Sequence, residues 1–288
     1  MRKILGVLLI FAVSANLHAK EINEYKVRHD GMERSYWFYM PEGLQKGAPL
    51  VLCLHGYGGN AEDCRPELIE VAKEEGFAVC YPQAMKDPVG KTGWNVGYPF
   101  QKGMKINDVD FISFLVKHLQ KKFDLSRKNV FYSGMSNGGE MCYLMALKRP
   151  DVFAAYASVA GLTMEWMHKE LSPKKAVPLM EIHGTVDGIS NWNGDLDNKG
   201  GWGEYISVPQ AVGVWVAEAR CTHEVTEELP LIRNKVILHR YVGGEPAWKN
   251  GPAVEVRLYE IVDGNHTWGL EDMDTCREMW KFFSMYLR

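Results

Sequence analysis

An α/β fold built on a mostly parallel, doubly wound sheet is predicted by three features of this sequence. Apolar runs at residues 49–54, 77–81, 130–132, 153–159 and 179–182 have the continuous hydrophobicity of strands covered on both faces. Segments with apolar residues at helical spacing lie between several of them, and strands alternating with helices favour a parallel sheet sandwiched by helix layers. Ahead of both, residues 24–28 and 33–39 alternate polar and apolar around Asp30-Gly31, which predicts an antiparallel hairpin at the leading edge.

Taken in order, the chain opens on Arg2-Lys3, an apolar run over residues 4–13 and a small-residue stretch ending at Ala19. This is the pattern of a secretory signal peptide over residues 1–19, and about ten apolar residues are too few to span a bilayer. Residues 20–288 are then expected as one exported domain, secreted or periplasmic, with no membrane partner. A helix is predicted over 62–75, ended by Gly76. Residues 82–105 lack periodicity and form a long ordered loop. Ile112, Leu115, Val116, Leu119 and Phe123 share one face of a helix over 108–123. A further helix at 208–219 and strands at 236–241 and 254–261 follow. The last helix turns Cys276, Met279, Trp280, Phe283 and Leu287 inward.

The segment 130–145, VFYSGMSNGGEMCYLM, reads as strand, tight turn and helix. Ser136 stands between Gly134 and Gly138, so the turn can be sharp and the hydroxyl exposed, while the helix start aims unpaired N–H groups at the same place. Ligands in such sheets bind beyond the carboxyl ends of the strands. There the sequence places His55-Gly56-Tyr57-Gly58-Gly59, then His183-Gly184-Thr185-Val186-Asp187, then Asp263-Gly264-Asn265-His266. The chain order Ser136, Asp187, His266 is that of an α/β-hydrolase triad, with Ser136 as nucleophile, His266 as base and Asp187 as its orienting acid. The N–H groups of Tyr57 and Asn137 are the expected oxyanion donors. His183 is the rival base and is expected to pack at its strand end instead. Asp195, Asp197 and Asp263 are the rival acids.

Several stretches carry a resemblance: LHGYGGNAED at 54–63, YPQA at 81–84 with GWN at 93–95, NDVDFISFL at 107–115, FYSGMSNGGEM at 131–141, HGTVDG at 183–188 and NHTWG at 265–269. In these, and in their order, the chain resembles the family of secreted carbohydrate esterases and polyhydroxybutyrate depolymerases that includes feruloyl and acetylxylan esterases. The resemblance implies an α/β-hydrolase fold, a serine esterase mechanism and Ser136, Asp187 and His266 as the triad. It departs from the family at Asn265 and Gly269, where glycine and proline are usual. The family's cysteine after the 208–219 helix is present as Cys221, but its usual later partner is missing from RYVGGEP at 240–246.

A formal net charge of −3 gives no reason to expect nucleic acid or an anionic membrane as partner. Of nine tryptophans, Trp94, Trp192, Trp202 and Trp268 fall in loops near the strand ends, and Trp94, Trp202 and Trp268 are taken as contacts for a sugar ring or phenolic acyl group. The expected partner is an ester-decorated polysaccharide or oligosaccharide, bound by a monomer. No cofactor is expected. Asn193, Asp195 and Asp197 with Glu204 have partial calcium-loop spacing, but Asn198 stands where glycine is needed, so no metal is expected either. Cys53, Cys80 and Cys142 are expected to be buried and reduced, and Cys64, Cys221 and Cys276 to be available for pairing.

Overall fold

The computed structural model describes residues 22–63 and 65–288; the expected signal peptide and Cys64 lie outside the described residues. Ten strands form one sheet in the order β1-β2-β4-β3-β5-β6-β7-β10-β9-β8. Six of them, β4 (Ala78–Pro82), β3 (Leu50–Leu54), β5 (Val130–Met135), β6 (Ala155–Val159), β7 (Leu179–Gly184) and β10 (Val256–Ile261), run parallel. The predicted hairpin, β1 (Asn23–His29) and β2 (Met32–Tyr39), caps one side antiparallel. A second antiparallel pair, β9 (Val236–Val242) and β8 (His223–Glu228), caps the other. Every residue of β8, HEVTEE, is exposed, so it carries no apolar signal, and its charges discourage edge-to-edge pairing.

Helices α1 (Pro66–Glu75), α2 (Asp108–Lys122), α3 (Asn137–Lys148), α5 (Val208–Glu218) and α6 (Thr275–Ser284) match the predicted segments, and a six-residue α4 (Glu165–Glu170) adds to them. Helix α1 starts at Pro66 rather than at 62. Asn60 closes a turn by accepting from the N–H of Glu62, and Pro66 needs no donor in the first turn of a helix. Among the described residues no helix is long and apolar enough to cross a membrane.

Cys53, Cys80 and Cys142 are buried as expected, and Cys276 joins them on the inner face of α6. Cys221 and Cys276, which the sequence left available for pairing, are both unbridged. Cys221 instead sits half-buried with its thiol against the carbonyl of Val254.

The long loop after β4 is held by a buried ion pair. Arg34 of β2 donates to Asp108 at the start of α2 at 2.8 Å, with both side chains fully buried, and its guanidinium lies 3.7 Å from the centre of the Phe111 ring. The second oxygen of Asp108 accepts from the N–H of Asn95 at 2.8 Å, which pins the loop to the helix. Removing one partner of such a pair leaves a buried charge uncompensated. Asp108→Ala is therefore expected to lower unfolding free energy by about 3–5 kcal/mol, with Arg34→Met/Asp108→Leu recovering part of it. Urea unfolding measures both, and a loss under about 1 kcal/mol for the single variant would contradict the reading.

Candidate active site

The carboxyl ends of the parallel strands bring Ser136, Tyr57 and His266 to one cleft, with Asp187 hydrogen-bonded to His266. Ser136 sits at the β5–α3 turn with φ 56° and ψ −121°, a left-handed conformation that a non-glycine residue adopts only under constraint. Its N–H donates to Val159 at 2.8 Å, and its carbonyl accepts from Glu140 one turn into α3. The turn is packed too tightly for side chains around it. A Cβ at Gly138 would stand 2.5 Å from the carbonyl of Leu54, and one at Gly56 would stand 3.2 Å from the Cβ of Ser136. That second contact brings the loop after β3 directly against the serine.

His266 lies in the loop after β10, and its Nδ1 is 2.7 Å from Asp187 Oδ2. The other oxygen of Asp187 accepts from the N–H groups of Ile189 and Ser190, both at 2.8 Å. Burial pushes the Asp187 carboxyl up, but His266 and these two donors outweigh it and hold it below the usual carboxylate range. Ser136 and His266 line the same cavity of ≈ 210 Å³. The rival acids are engaged elsewhere. Asp195 accepts from the N–H groups of Lys199 and Gly200, Asp197 pairs with Lys199, and Asp263 is exposed.

His183 is buried behind Asp187, as its strand-end position suggested. Its Nδ1 is 2.9 Å from Glu181 and its Nε2 is 2.7 Å from the carbonyl of Ser190. The Ser190 carbonyl can only accept, so Nε2 carries a proton, and Nδ1 is held by Glu181. Burial pulls the His183 pKa down, while Glu181, the Ser190 carbonyl and Asp187 raise it further than burial lowers it. Glu181 in turn accepts from Tyr143 at 2.8 Å and from the N–H of Gly161. The Nε2 of His183 lies 3.5 Å from Asp187 Oδ2, so the ring borders that carboxylate as well.

The loop carrying Tyr57 is fixed from three sides. The Nε2 of His55 accepts from the N–H of Ala84, which leaves its Nδ1–H to donate to Gly56 at 2.7 Å. Burial pushes the His55 pKa down, in keeping with this neutral form. The Tyr57 hydroxyl donates to Asp87 at 2.6 Å, and Trp94 donates through its indole to the carbonyl of His55. Asn137 exchanges two hydrogen bonds with the backbone of Trp94, at 2.6 and 3.1 Å. These contacts aim Asn137's side chain at the Trp94 loop, while its N–H starts α3 next to Ser136.

The tryptophans divide. Trp202 lines the cleft with Tyr57 and Tyr98, at ring distances of 5.6 and 5.5 Å, and continues into an outer hollow with Phe100. Trp94 is fully buried among the hydrogen bonds just described, so it holds the loop and does not face a substrate; this corrects its predicted role. Trp268 belongs to a separate hollow with His55, Arg65 and Tyr81, its loop turned toward α6 where its carbonyl accepts from Thr275. It is not brought to the cleft of Ser136. Trp192 packs edge-on against His183 at 6.0 Å. The residues that the motifs did not single out are Tyr98, Glu140 and Glu181, all buried at or below the cleft.

A family model described as "Esterase PHB depolymerase" matches residues 34–221, well over half of the sequence. The chain belongs to this family. Among curated members and relatives, a bifunctional acetylxylan esterase/xylanase of Neocallimastix patriciarum is 30% identical over 175 residues, 60% of this chain and 24% of that protein. A feruloyl esterase B of Thermothelomyces thermophilus is 25% identical over 166 residues, 56% of this chain and 55% of that protein. The match thus spans about a quarter to about half of those relatives' own lengths. An acetyl xylan esterase structure from Aspergillus awamori superposes with a TM-score of 0.60 at 14% identity, covering 91% of this chain and 99% of that one. An S-formylglutathione hydrolase from Agrobacterium tumefaciens gives 0.60 at 13% identity, covering 92% and 95%. These likenesses give the α/β-hydrolase fold to the esterase PHB depolymerase family member described here.

Two tryptophan variants separate packing from binding. Trp94→Ala is expected to lower unfolding free energy by about 3–5 kcal/mol, as for other buried large-to-small changes. Trp202→Ala, at the half-exposed cleft wall, is expected to cost under about 1.5 kcal/mol and to act on KM. Equal losses of stability would undo the distinction.

Proposed function

We propose that this chain is an exported serine carboxylic-ester hydrolase acting on acyl or feruloyl esters of plant polysaccharide. The observation that carries the reading is the 2.7 Å hydrogen bond between His266 and Asp187 beside the strained Ser136, in one cleft. In this reading His266 Nε2 takes the Ser136 proton as Oγ attacks the ester carbonyl. The developing oxyanion is held by the N–H groups of Tyr57 and Asn137, neither of which is used by another backbone carbonyl among the described residues. His266 then protonates the leaving alcohol, and water, activated by the same imidazole, releases the acid. The ionised Asp187 keeps the proton on Nδ1 and stabilises the imidazolium. Export rests on the signal-peptide pattern of residues 1–19.

The carbohydrate-ester reading draws on the names of the relatives and on the aromatic wall of Tyr57, Tyr98 and Trp202, which suits a sugar or phenolic ring. A polyhydroxybutyrate-type substrate is the second reading, favoured by the description of the matching family. Acyl transfer to a sugar uses the same groups and differs only in the acceptor.

Ser136→Ala is expected to remove labelling by a fluorophosphonate probe and to reduce kcat by several orders of magnitude; retention of about a tenth of kcat would reject Ser136 as nucleophile. Asp187→Asn should reduce kcat far more than Asp263→Asn, because an amide favours the wrong imidazole tautomer. Substrate class is read from parallel assays on methyl ferulate, acetylated xylan, polyhydroxybutyrate and a long-chain triglyceride, with product analysis in the presence of a sugar acceptor. Preference for the triglyceride would overturn the carbohydrate reading, and preference for polyhydroxybutyrate would install the second one.

A further inference from the structure

Glu140 lies in the first turn of α3, four residues after Ser136, and its side chain is part of the wall of the cavity that Ser136 and His266 line. It is 1% exposed, and its Oε2 has no hydrogen-bond partner among the described residues. Such an oxygen is costly to leave buried, and an apolar residue of similar size would avoid that cost. Tyr98 and Asn137 sit beside the carboxyl, and no basic side chain is paired with it. Burial pushes its pKa up to about 8, against the pull of these two neighbours, so near neutral pH the protonated form predominates and the group both donates and accepts. The terminal torsion of a glutamate is broad, so rotation of the carboxyl turns an oxygen toward the cavity. Apart from Ser136, His266 and Ser190, the rest of the wall is apolar or aromatic, with Leu162, Ile189, Tyr57 and Trp202.

We propose that Glu140 is a specificity-determining residue that hydrogen-bonds a hydroxyl group of the bound ester. This deepens the esterase reading and rests on it. A hydroxyl supplies both a donor and an acceptor, which matches a protonated carboxyl, and a site built to pair a hydroxyl discriminates against the analogue that lacks it. The hydroxyl belongs either to the acyl group, as in a phenolic or hydroxyalkanoyl ester, or to the sugar that carries the ester.

The test uses pairs of esters that differ by one hydroxyl. On the acyl side these are methyl 4-hydroxycinnamate against methyl cinnamate, and a 3-hydroxybutyrate ester against the butyrate. On the alcohol side they are trans-2-hydroxycyclohexyl acetate against cyclohexyl acetate. The wild-type chain is expected to favour the hydroxylated member of one arm by about tenfold or more in kcat/KM, and that arm identifies the source. Glu140→Leu should collapse that ratio toward one while its Tm stays at or above the wild-type value, because the unpaired oxygen is gone. Glu140→Gln, which keeps a donor and an acceptor, should hold the preference within about threefold of wild type. Equal losses on both members of every pair, or a lowered Tm for both variants, would make Glu140 a packing residue and overturn the proposal. Absence of any hydroxyl preference in the wild-type chain would overturn it too. Failure of the esterase reading is separate: the wild-type chain would then hydrolyse none of the esters and its Ser136 would not react with a fluorophosphonate.

Discussion

The backbone conformation of Ser136 is the constraint around which the molecule is arranged. Holding a serine at φ 56° costs about 1–3 kcal/mol, so it persists only where the surroundings leave no alternative. Those surroundings are the parallel strands β3, β5 and β6. β6 supplies the carbonyl that takes the Ser136 N–H, and the end of β3 comes so close to α3 that residue 138 has no room for a side chain. The continuous apolar runs that make these strands central thus also supply the rigidity that the strained turn requires.

Two polar networks extend that rigidity to either side of the serine. On one side, Arg34, Asp108, Asn95, Trp94 and Asn137 link β2, the start of α2, the loop at 82–105 and the start of α3. Asp108 accepts from the N–H of Asn95 and Asn137 clasps the backbone of Trp94, so the loop beside the expected oxyanion site is held at two adjacent residues. On the other side, Tyr143, Glu181, His183 and Ser190 lie beneath Asp187. Here buried Glu181 and His183 are hydrogen-bonded to each other, and the same imidazole faces the carboxylate that orients His266.

How far this was legible depended on whether a residue's role is local. Ser136, Asp187 and His266 each follow a strand by a fixed short interval, so chain order and the rule that ligands bind at strand ends were enough to bring them together. The parallel sheet and leading hairpin were legible for the same reason, through period-two alternation and continuous apolar runs. Strand β8 was not, because an edge strand exposed on all sides can be wholly polar. Trp94 read as a loop aromatic because nothing local reveals that the loop folds inward over it. Glu140 was the most opaque. A glutamate in the first turn of a helix is the ordinary solvated complement of the helix dipole, and only the packing of Tyr98 and Trp202 above it turns it into a buried carboxyl.

Several exceptions to ordinary folding rules gather at the cleft. The left-handed serine, the unpaired oxygen of Glu140 and the buried Glu181–His183 pair all lie within the turns that end β5 and β7 or directly beneath them. Elsewhere the parallel strands are mostly apolar, and the other buried charges, Arg34 with Asp108 and Arg257 with Glu255, are paired. A sequence selected for stability alone would replace each exception with a residue that fits, because an apolar side chain at 140 or a glycine at 136 relieves an evident cost. Their persistence together, around one cavity, is the pattern expected when the chemistry of that cavity and not the fold determines which residues occupy it.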